Sequence, residues 1–469
     1  MEVIQTIIGT VCGFLYYPLL IILLLLCGLF FTIRTRFVQG RLFLESFKVV
    51  LEKPMEKHHV SSFQALMVST ASRVGTGNII GVSTAICLGG YGAVFWMWLL
   101  ALIGGATAFV ESTLAQIYKH NKHDYGCIGG PAYYIKMGLK SKKLAVIFTL
   151  SLIATFAGGY NLVCSYNLQS TFQTYSFYNE TTPYIIGAII ACLVGFSIFG
   201  GSHRIVKLAS TLVPFMGIFY ILVTLIVVVL HFNLIPGVLA AIVQDAFDFQ
   251  SIFSGVAGSC MIYGIKRGLY SNEAGMGSAP NAAASAHVSH PVKQGLVQML
   301  SVFIDTLVLC SATAFMCLCS GITPTAEIAG APYVAMALNN TFGGFGAIFL
   351  TVSMVLFAFT TLLGNLFYVD NALVYLNYGK PLNKTATYIY KVIACLIIFL
   401  GAIMPMSTAW DLADITMGVM ALINLPTCVI LGKYALRALD DYIKQKKEGK
   451  DPVFKYETVG ITDKLDYWN

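Results

Sequence analysis

Charge is what this chain lacks. Only 11% of its 469 residues are Asp, Glu, Lys or Arg, against 57% hydrophobic, and mean hydropathy is +0.75. Soluble domains carry about 25% charged residues, so a soluble enzyme is excluded and a polytopic membrane protein remains. CxxC is absent too, and the twelve cysteines show no Cys/His spacing suited to a metal; they read as small buried apolar residues. The eight histidines do not cluster as ligands. His58, His59, His287 and His290 fall at expected helix ends on the cytoplasmic side, where a solvated or interfacial role is expected. No nucleophile–base pair stands at membrane depth, which argues against an enzyme. The first apolar run is too long for a signal-peptide core and has no basic leader, so a true span is expected there.

Long apolar runs are what the chain has. About 20 such residues cross the hydrocarbon core. Runs near 11–33, 63–88, 92–118, 144–172, 183–200, 208–232, 252–286, 294–320, 344–376, 385–405 and 411–434 predict eleven transmembrane helices. Lys and Arg occupy every second loop: Arg34 to Lys57, Lys119 to Lys143 with Lys122 among them, Arg204 and Lys207, Lys293, and Lys380 with Lys384. The loops at 173–182, 233–250, 321–343 and 406–410 contain neither. By the positive-inside rule the N-terminus is outside and the C-terminus cytoplasmic, in a multi-pass cell-membrane protein. The net charge of +7 is then a topology signal and needs no nucleic acid. Trp96, Trp98 and Trp410 are expected as interface anchors, and Asn179-Glu180-Thr181 is a sequon-like tripeptide outside.

Two of the runs are poor helices. "SRVGTGNIIGV", residues 72–82, puts an arginine, three glycines and an asparagine inside a membrane-length run. "YGIKRGLYSNEAGMGSAP" repeats the oddity, with Gly275-Met276-Gly277-Ser278 standing 200 residues beyond Gly75-Thr76-Gly77-Asn78. Irregular backbone survives at membrane depth only where it is buried in protein or lines a wet cavity. The spans after the first form two groups of five, and five being odd, the groups enter the membrane from opposite sides. Paired interrupted helices in two inverted halves point to a secondary transporter's substrate site. Residues 1–60 would hold one extra helix and a basic loop, 61–235 the first repeat, 236–437 the second, and 438–469 a charged tail without evident motif.

The break chemistry is directional. The second half-helix starts with free N–H groups that suit a carboxylate, and the first ends in carbonyls that suit a cation. A zwitterionic amino acid with a sodium ion satisfies both. Gly75, Gly77, Gly275 and Gly277 would let ligand approach the backbone, with Thr76, Asn78, Asn272 and Ser278 beside them. Tight helix packing is the bland reading of the glycines, but it does not require Arg73, Asn78, Asn272 or Glu273. Arg73, Lys266 and Arg267 also escape the loop pattern. For Glu111, Asp305 and Asp414, structural pairing with these cations is preferred over a coupling or relay role. Glu273, inside the break, is expected to act in function, with Arg267 as a partner if the helix is interrupted between them.

"GGYGAVFWMWLLALIGG", residues 89–105, directly after "VGTGNIIGVSTAI", resembles the signature of the alanine/glycine:cation symporters. "RGLYSNEAGMGSAP", "HPVKQGLVQMLSVFIDTLVLCSATA", "FAFTTLLGN" and "WDLADITMGVMALINLP" are similar to that family's later helices, in order, over about residues 60–435. The resemblance implies an all-α, LeuT-type five-plus-five inverted repeat. It also implies sodium or proton coupling and a small neutral amino acid as substrate, alanine or glycine.

"VGTGN" is similar as well to the break in neurotransmitter–sodium symporters. By that likeness the N–H groups of Thr76 and Gly77 would hold the substrate carboxylate, and Asn78 would face substrate or ion. Carbonyls of Ala71 and Val74 would meet the hydroxyls of Thr360 and Thr361 around sodium; hard oxygen ligands suit an alkali cation. The chain departs from the family where Cys164 stands in place of a glutamine, and where "GNLFYVDNAL" brings Asn365 and Asp370. That leaves glutamine or a D-amino acid open as substrate, and protons as the coupling ion. A channel or a transport-dead sensor ranks below these readings.

Overall fold

The computed structural model describes residues 2–53, 59–122, 126–199, 202–248 and 260–468. Lys57, His58 and the start of the seventh expected span lie outside them, as do the side chains of Lys122 and Arg204.

The described residues are mostly helical, and eight helices among them are long and apolar enough to cross a membrane. In chain order the helices that matter below are α1 (Glu2–Phe14), α2 (Ile21–Arg34), α3 (Ser62–Arg73), α4 (Val82–Gly89), α5 (Ala93–Ile117), α6 (Pro131–Gly138), α7 (Lys142–Ile153), α8 (Tyr160–Ser170), α9 (Thr182–Ile198) and α10 (Ser202–Leu230). The second half adds α11 (Ile235–Ala246), α12 (Cys260–Asn272), α13 (Ala279–Ser285), α14 (Pro291–Val302), α15 (Ser311–Leu318), α16 (Ala331–Phe342), α17 (Phe345–Leu376), α18 (Lys384–Ile403) and α19 (Met406–Lys447).

Every expected span has helix in it, with three differences. The first run is longer than expected, Gln5–Arg34, and kinks at Tyr17–Pro18, since proline has no N–H to give the helix. The runs 63–88 and 252–286 are each interrupted, into α3 and α4 and into α12 and α13. The loops at 233–250 and 321–343 contain the unexpected helices α11 and α16, and two short strands pair antiparallel, β1 (His120–Lys122) against β2 (Gly126–Ile128).

Burial sorts the helices into centre and rim. In their most apolar stretches α5 and α17 are 67% buried, whereas α10 and α18 are 28% buried. The rim helices present large side chains outward, such as Phe215, Ile218 and Leu222 on α10 and Leu396 and Leu400 on α18. That suits a hydrocarbon solvent, in which an outward apolar side chain costs nothing. The interrupted helices are central: residues 65–86 and 264–288 are buried almost throughout.

Two expectations about the ends are corrected. Trp410 is no interface anchor; it is 4% exposed and lies flat under the Arg267 guanidinium, 3.8 Å from its ring centre. Trp96 and Trp98 hydrogen-bond Ala246 O and Ser311 Oγ, so both are tied to neighbouring segments. The tail, read from the sequence as charged and without evident motif, is folded against the helices. Helix α19 runs to Lys447, and the chain beyond it folds back, burying Phe454, Val459, Ile461 and Leu465. The histidines at this end, His287 and His290, are buried rather than solvated.

Candidate substrate and ion site

The first break is short and held by its own side chains. Helix α3 starts with a reciprocal cap between Ser61 and Gln64 and ends at Arg73. Val74 leaves helical geometry at ψ 89°, and winding resumes through a π turn, Gly77–Gly81, into α4. Asn78 Oδ1 accepts the Gly75 N–H at 2.8 Å, while its Nδ2 donates to Asp305 Oδ1 at 2.7 Å and Ser271 Oγ at 3.1 Å. The two expected glycines serve close approach. A Cβ on Gly75 would stand 1.9 Å from Thr361 Oγ1, and one on Gly77 would stand 2.8 Å from the Tyr270 ring.

The second break is longer, Glu273 to Ser278, and three residues carry left-handed backbone: Glu273 at φ +55°, Gly275 at +86° and Gly277 at +87°. Glycine adopts this freely, whereas a side chain there costs about 1–2 kcal/mol. Glu273 is held in place by hydroxyls, Ser72 Oγ donating to Oε1 at 2.8 Å and Ser278 Oγ to Oε2. Asn272 caps the turn, accepting from Ala274 N and donating to Thr306 Oγ1 at 3.2 Å. Glu111 on α5 accepts the Gly275 N–H at 3.2 Å and the Asn424 amide at 2.7 Å.

The breaks face each other. Ser72 joins Glu273 and Asn365, and Asn78 joins Ser271. Helix α17 lies against the first break. A Cβ on Gly364 would come within 2.7 Å of the Ser72 backbone N and 3.1 Å of Ala71 C, one turn beyond the buried Thr361 hydroxyl. That hydroxyl has no hydrogen-bond partner among the described residues. Thr360 differs: its hydroxyl points back to the carbonyls of Leu356 and Phe357 at 3.0 Å, the ordinary behaviour of a helical threonine. The Cys164 thiol donates to Ala358 O at 3.5 Å. One turn along α8, the Asn167 amide donates to Thr76 Oγ1 at 3.1 Å, with its own Oδ1 buried and without a partner among the described residues.

Charge pairing is the main correction. Arg267 does not meet Glu273; α12 is unbroken between them, and Arg267 turns instead to Asp414 at 2.6 Å, with Lys266 at 3.7 Å. Asp414 thus pairs as expected. Asp305 and Glu111 do not: each is held by neutral donors, and so is Glu273. Arg73, 1% exposed, donates only to Gln298, through contacts of 3.4 Å, and makes no ion pair within 4 Å among the described residues. Glu111, Glu273 and Asp305 are thus three buried carboxyl groups around the two breaks, none of them in an ion pair among the described residues.

Sequence reasoning missed Ser72, Ser271, Asn167 and Asn424, and assigned Asp305 to pairing. Ser72 and Ser271 each adjoin a flagged polar residue, Arg73 and Asn272, and that adjacency was the available signal. Asn424 carried none, because it enters from α19, 149 residues from its partner Gly275.

The Arg267–Asp414 pair has a testable cost. Asp414→Ala would leave Arg267 and Lys266 without their carboxylate in a buried setting, which typically costs about 3–5 kcal/mol. A clear fall in the melting temperature of the detergent-solubilised protein is expected, with Asp414→Glu recovering most of it. An unchanged melting temperature for the alanine variant would contradict the assignment.

Comparisons with known proteins give the fold and the family. The overall fold is similar to the crystal structure of MhsT in complex with L-phenylalanine, with TM-score 0.52 and 15% identity over 83% of this chain and 96% of that one. The amino-acid carrier protein AlsT of Bacillus subtilis is 42% identical, covering 94% of this chain and 93% of its own. The probable sodium/glutamine symporter GlnT of the same organism is 41% identical over 100% and 96% of the two chains. The sodium/alanine symporter AgcS of Methanococcus maripaludis is 33% identical over 91% and 94%. Residues 1–456 match the sodium:alanine symporter family, and with two interrupted helices meeting at a buried polar centre the chain belongs to that family of membrane transporters.

Proposed function

We propose that the protein imports a small neutral amino acid, alanine or glycine, by symport with sodium across the cell membrane. The observation that carries the reading is the meeting of the two breaks through Asn78–Ser271 and Ser72–Glu273. There, two interrupted helix ends, three carboxyl groups and one arginine lie buried together without direct ion pairs among the described residues. The substrate carboxylate would take the N–H groups of Thr76 and Gly77, and the ammonium group the oxygens released at the second break, beside Asn272, Gly275, Gly277 and Ser278. One sodium would sit among the carbonyls of Ala71 and Val74 and the free hydroxyl of Thr361, with Thr360 contributing less because its proton is directed into its own helix. Asp305 and Ser271 place oxygens beside the first break, where the Asn78 amide N–H donates to both, and the Asp305 carboxyl is the group there suited to a cation.

Access alternates between the two faces in this reading. The N-terminus lies outside and the C-terminus in the cytoplasm, the eleven spans form one leading helix and two inverted groups of five, and Arg267 on Asp414 closes the outer face over Trp410 and Tyr270. Sodium holds the outward-open state, substrate bridges the breaks, and closure releases both inside.

Glutamine is the second reading. Asn167 supplies an amide one turn from Cys164, with an unpartnered oxygen beside the first break, and one relative is named a probable sodium/glutamine symporter. The deciding experiment is uptake of labelled alanine into proteoliposomes under an inward sodium gradient, against a proton gradient alone, with glycine, D-alanine and glutamine as competitors. Sodium-driven accumulation blocked by glycine supports the first reading, and stronger competition by glutamine the second. No accumulation under either gradient refutes both.

A further inference from the structure

The last twenty described residues do more than end the chain. Beyond α19 the backbone returns to the face that carries the start of α3 and the end of α13, and Phe454 N donates to Ser289 O at 3.0 Å. Asp466 accepts from Asn121 N at 2.9 Å and lies 3.3 Å from His120 Nδ1. Trp468 Nε1 donates to Gln116 O at 2.8 Å, at the end of α5. Tyr467 covers the Lys119 ammonium group, 3.7 Å from its ring centre, and its hydroxyl reaches His287 Nδ1 at 3.2 Å.

What these aromatic residues touch is the junction of the two broken helices. His287 N donates to Val60 O at 3.0 Å, and the His287 ring stacks on His59 at 3.6 Å, so the segment entering α3 is tied to the segment leaving α13. From the other side Lys119 donates to Ala286 O at 2.8 Å and Gln116 to the same carbonyl at 2.9 Å. Three chain segments therefore meet under Tyr467 and Trp468, and none can swing away without disturbing them.

We propose that residues 449–468 are a latch that holds these inner ends together and sets how readily the site opens to the cytoplasm. The latch rests on the transport reading for its consequence, but its existence is separately measurable. The Lys119 amine lies under the Tyr467 and Trp468 rings, 3.7 and 5.2 Å from their centres, and with the indole hydrogen bond it holds the tail on these ends. The anchoring apolar residues, Phe454, Val459, Ile461 and Leu465, are buried in a way that a solvated tail would not be.

Cys127 on β2 is a native reporter. It is 5% exposed, with its thiol 3.4 Å from the His287 ring. Burial holds the thiol above its usual pKa, and only an accessible thiolate alkylates readily. The experiment is alkylation of Cys127 by a membrane-impermeant maleimide in inside-out vesicles, followed by mass spectrometry of the full-length protein. Trp468→Ala and a variant lacking residues 463–469 should label about tenfold faster than the unaltered chain. Trp468→Phe, which keeps a ring but loses the N–H, should fall between. Should those variants misfold, Tyr467→Phe, lacking only the hydroxyl on His287, still gives the direction. Equal labelling of the deletion variant and the unaltered chain would overturn the latch. Faster labelling with an unchanged sodium-driven uptake rate would overturn its control of opening. Faster labelling in a protein that accumulates no amino acid would refute the transport reading and leave the latch standing.

Discussion

Gly75→Ala is expected to abolish sodium-driven uptake, and the reason lies on another helix. A methyl group at this position would stand 1.9 Å from Thr361 Oγ1 and 3.0 Å from its Cβ, far inside contact distance. Gly75 is not among the residues with positive φ, so the backbone tolerates alanine and the whole effect is steric. Either α17 retreats from the break or the break reshapes. Overpacking of this kind costs about 1–3 kcal/mol, and both outcomes move Thr361 relative to the first break.

A double variant separates packing from chemistry. Gly75→Ala with Thr361→Ala removes the worst of the clash, leaving only the Cβ contact at 3.0 Å, and should recover most of the melting temperature, yet uptake should stay lost because the proposed sodium ligand is gone. Thr361→Ala alone should fold normally and need a much higher sodium concentration for half-maximal uptake. Normal sodium dependence in Thr361→Ala would remove this hydroxyl from the ion site. Thr360→Ala should have the smaller effect, since its hydroxyl is already bonded to Leu356 and Phe357.

Asp305→Asn should lower sodium-dependent uptake by about a hundredfold while the protein remains folded. The carboxylate accepts from Asn78, Ser271 and Thr306, all neutral donors. An asparagine keeps the volume but brings an NH2 group toward those donors and removes the charge that would attract a cation. If Asp305 were only structural, the substitution would lower the melting temperature and leave the sodium dependence of the surviving activity unchanged. A steeply shifted sodium dependence with a near-normal melting temperature is the outcome expected of a coupling carboxylate. Sodium titration of uptake, run beside thermal unfolding, distinguishes the two.

Composition alone was enough for the class of this protein, because no arrangement of so few charges keeps a chain of this length soluble. The two breaks were legible for a related reason. Glycine, arginine and asparagine inside membrane-length runs are costly unless they do something, and both runs prove to be interrupted, at Val74–Gly75 and at Glu273–Ser278. Even the choice of glycine was readable, since Gly275 and Gly277 do adopt positive φ.

Partnership was not legible. Arg267 and Glu273 are six positions apart in sequence, but an intact helix turns Arg267 toward Asp414 on α19, 147 residues away. Asp305 looked like the other half of an ion pair because buried charges usually pair; the fold surrounds it instead with Asn78, Ser271 and Thr306. The tail, residues 438–469, read only as a charged stretch without evident motif. Only its return under α13 shows what Phe454 and Leu465 cover. The sequence by itself determined where the backbone must be irregular, since that follows from the local cost of each residue in lipid. The tertiary structure alone decided which groups face one another there, because contacts between residues hundreds of positions apart depend on how the helices pack.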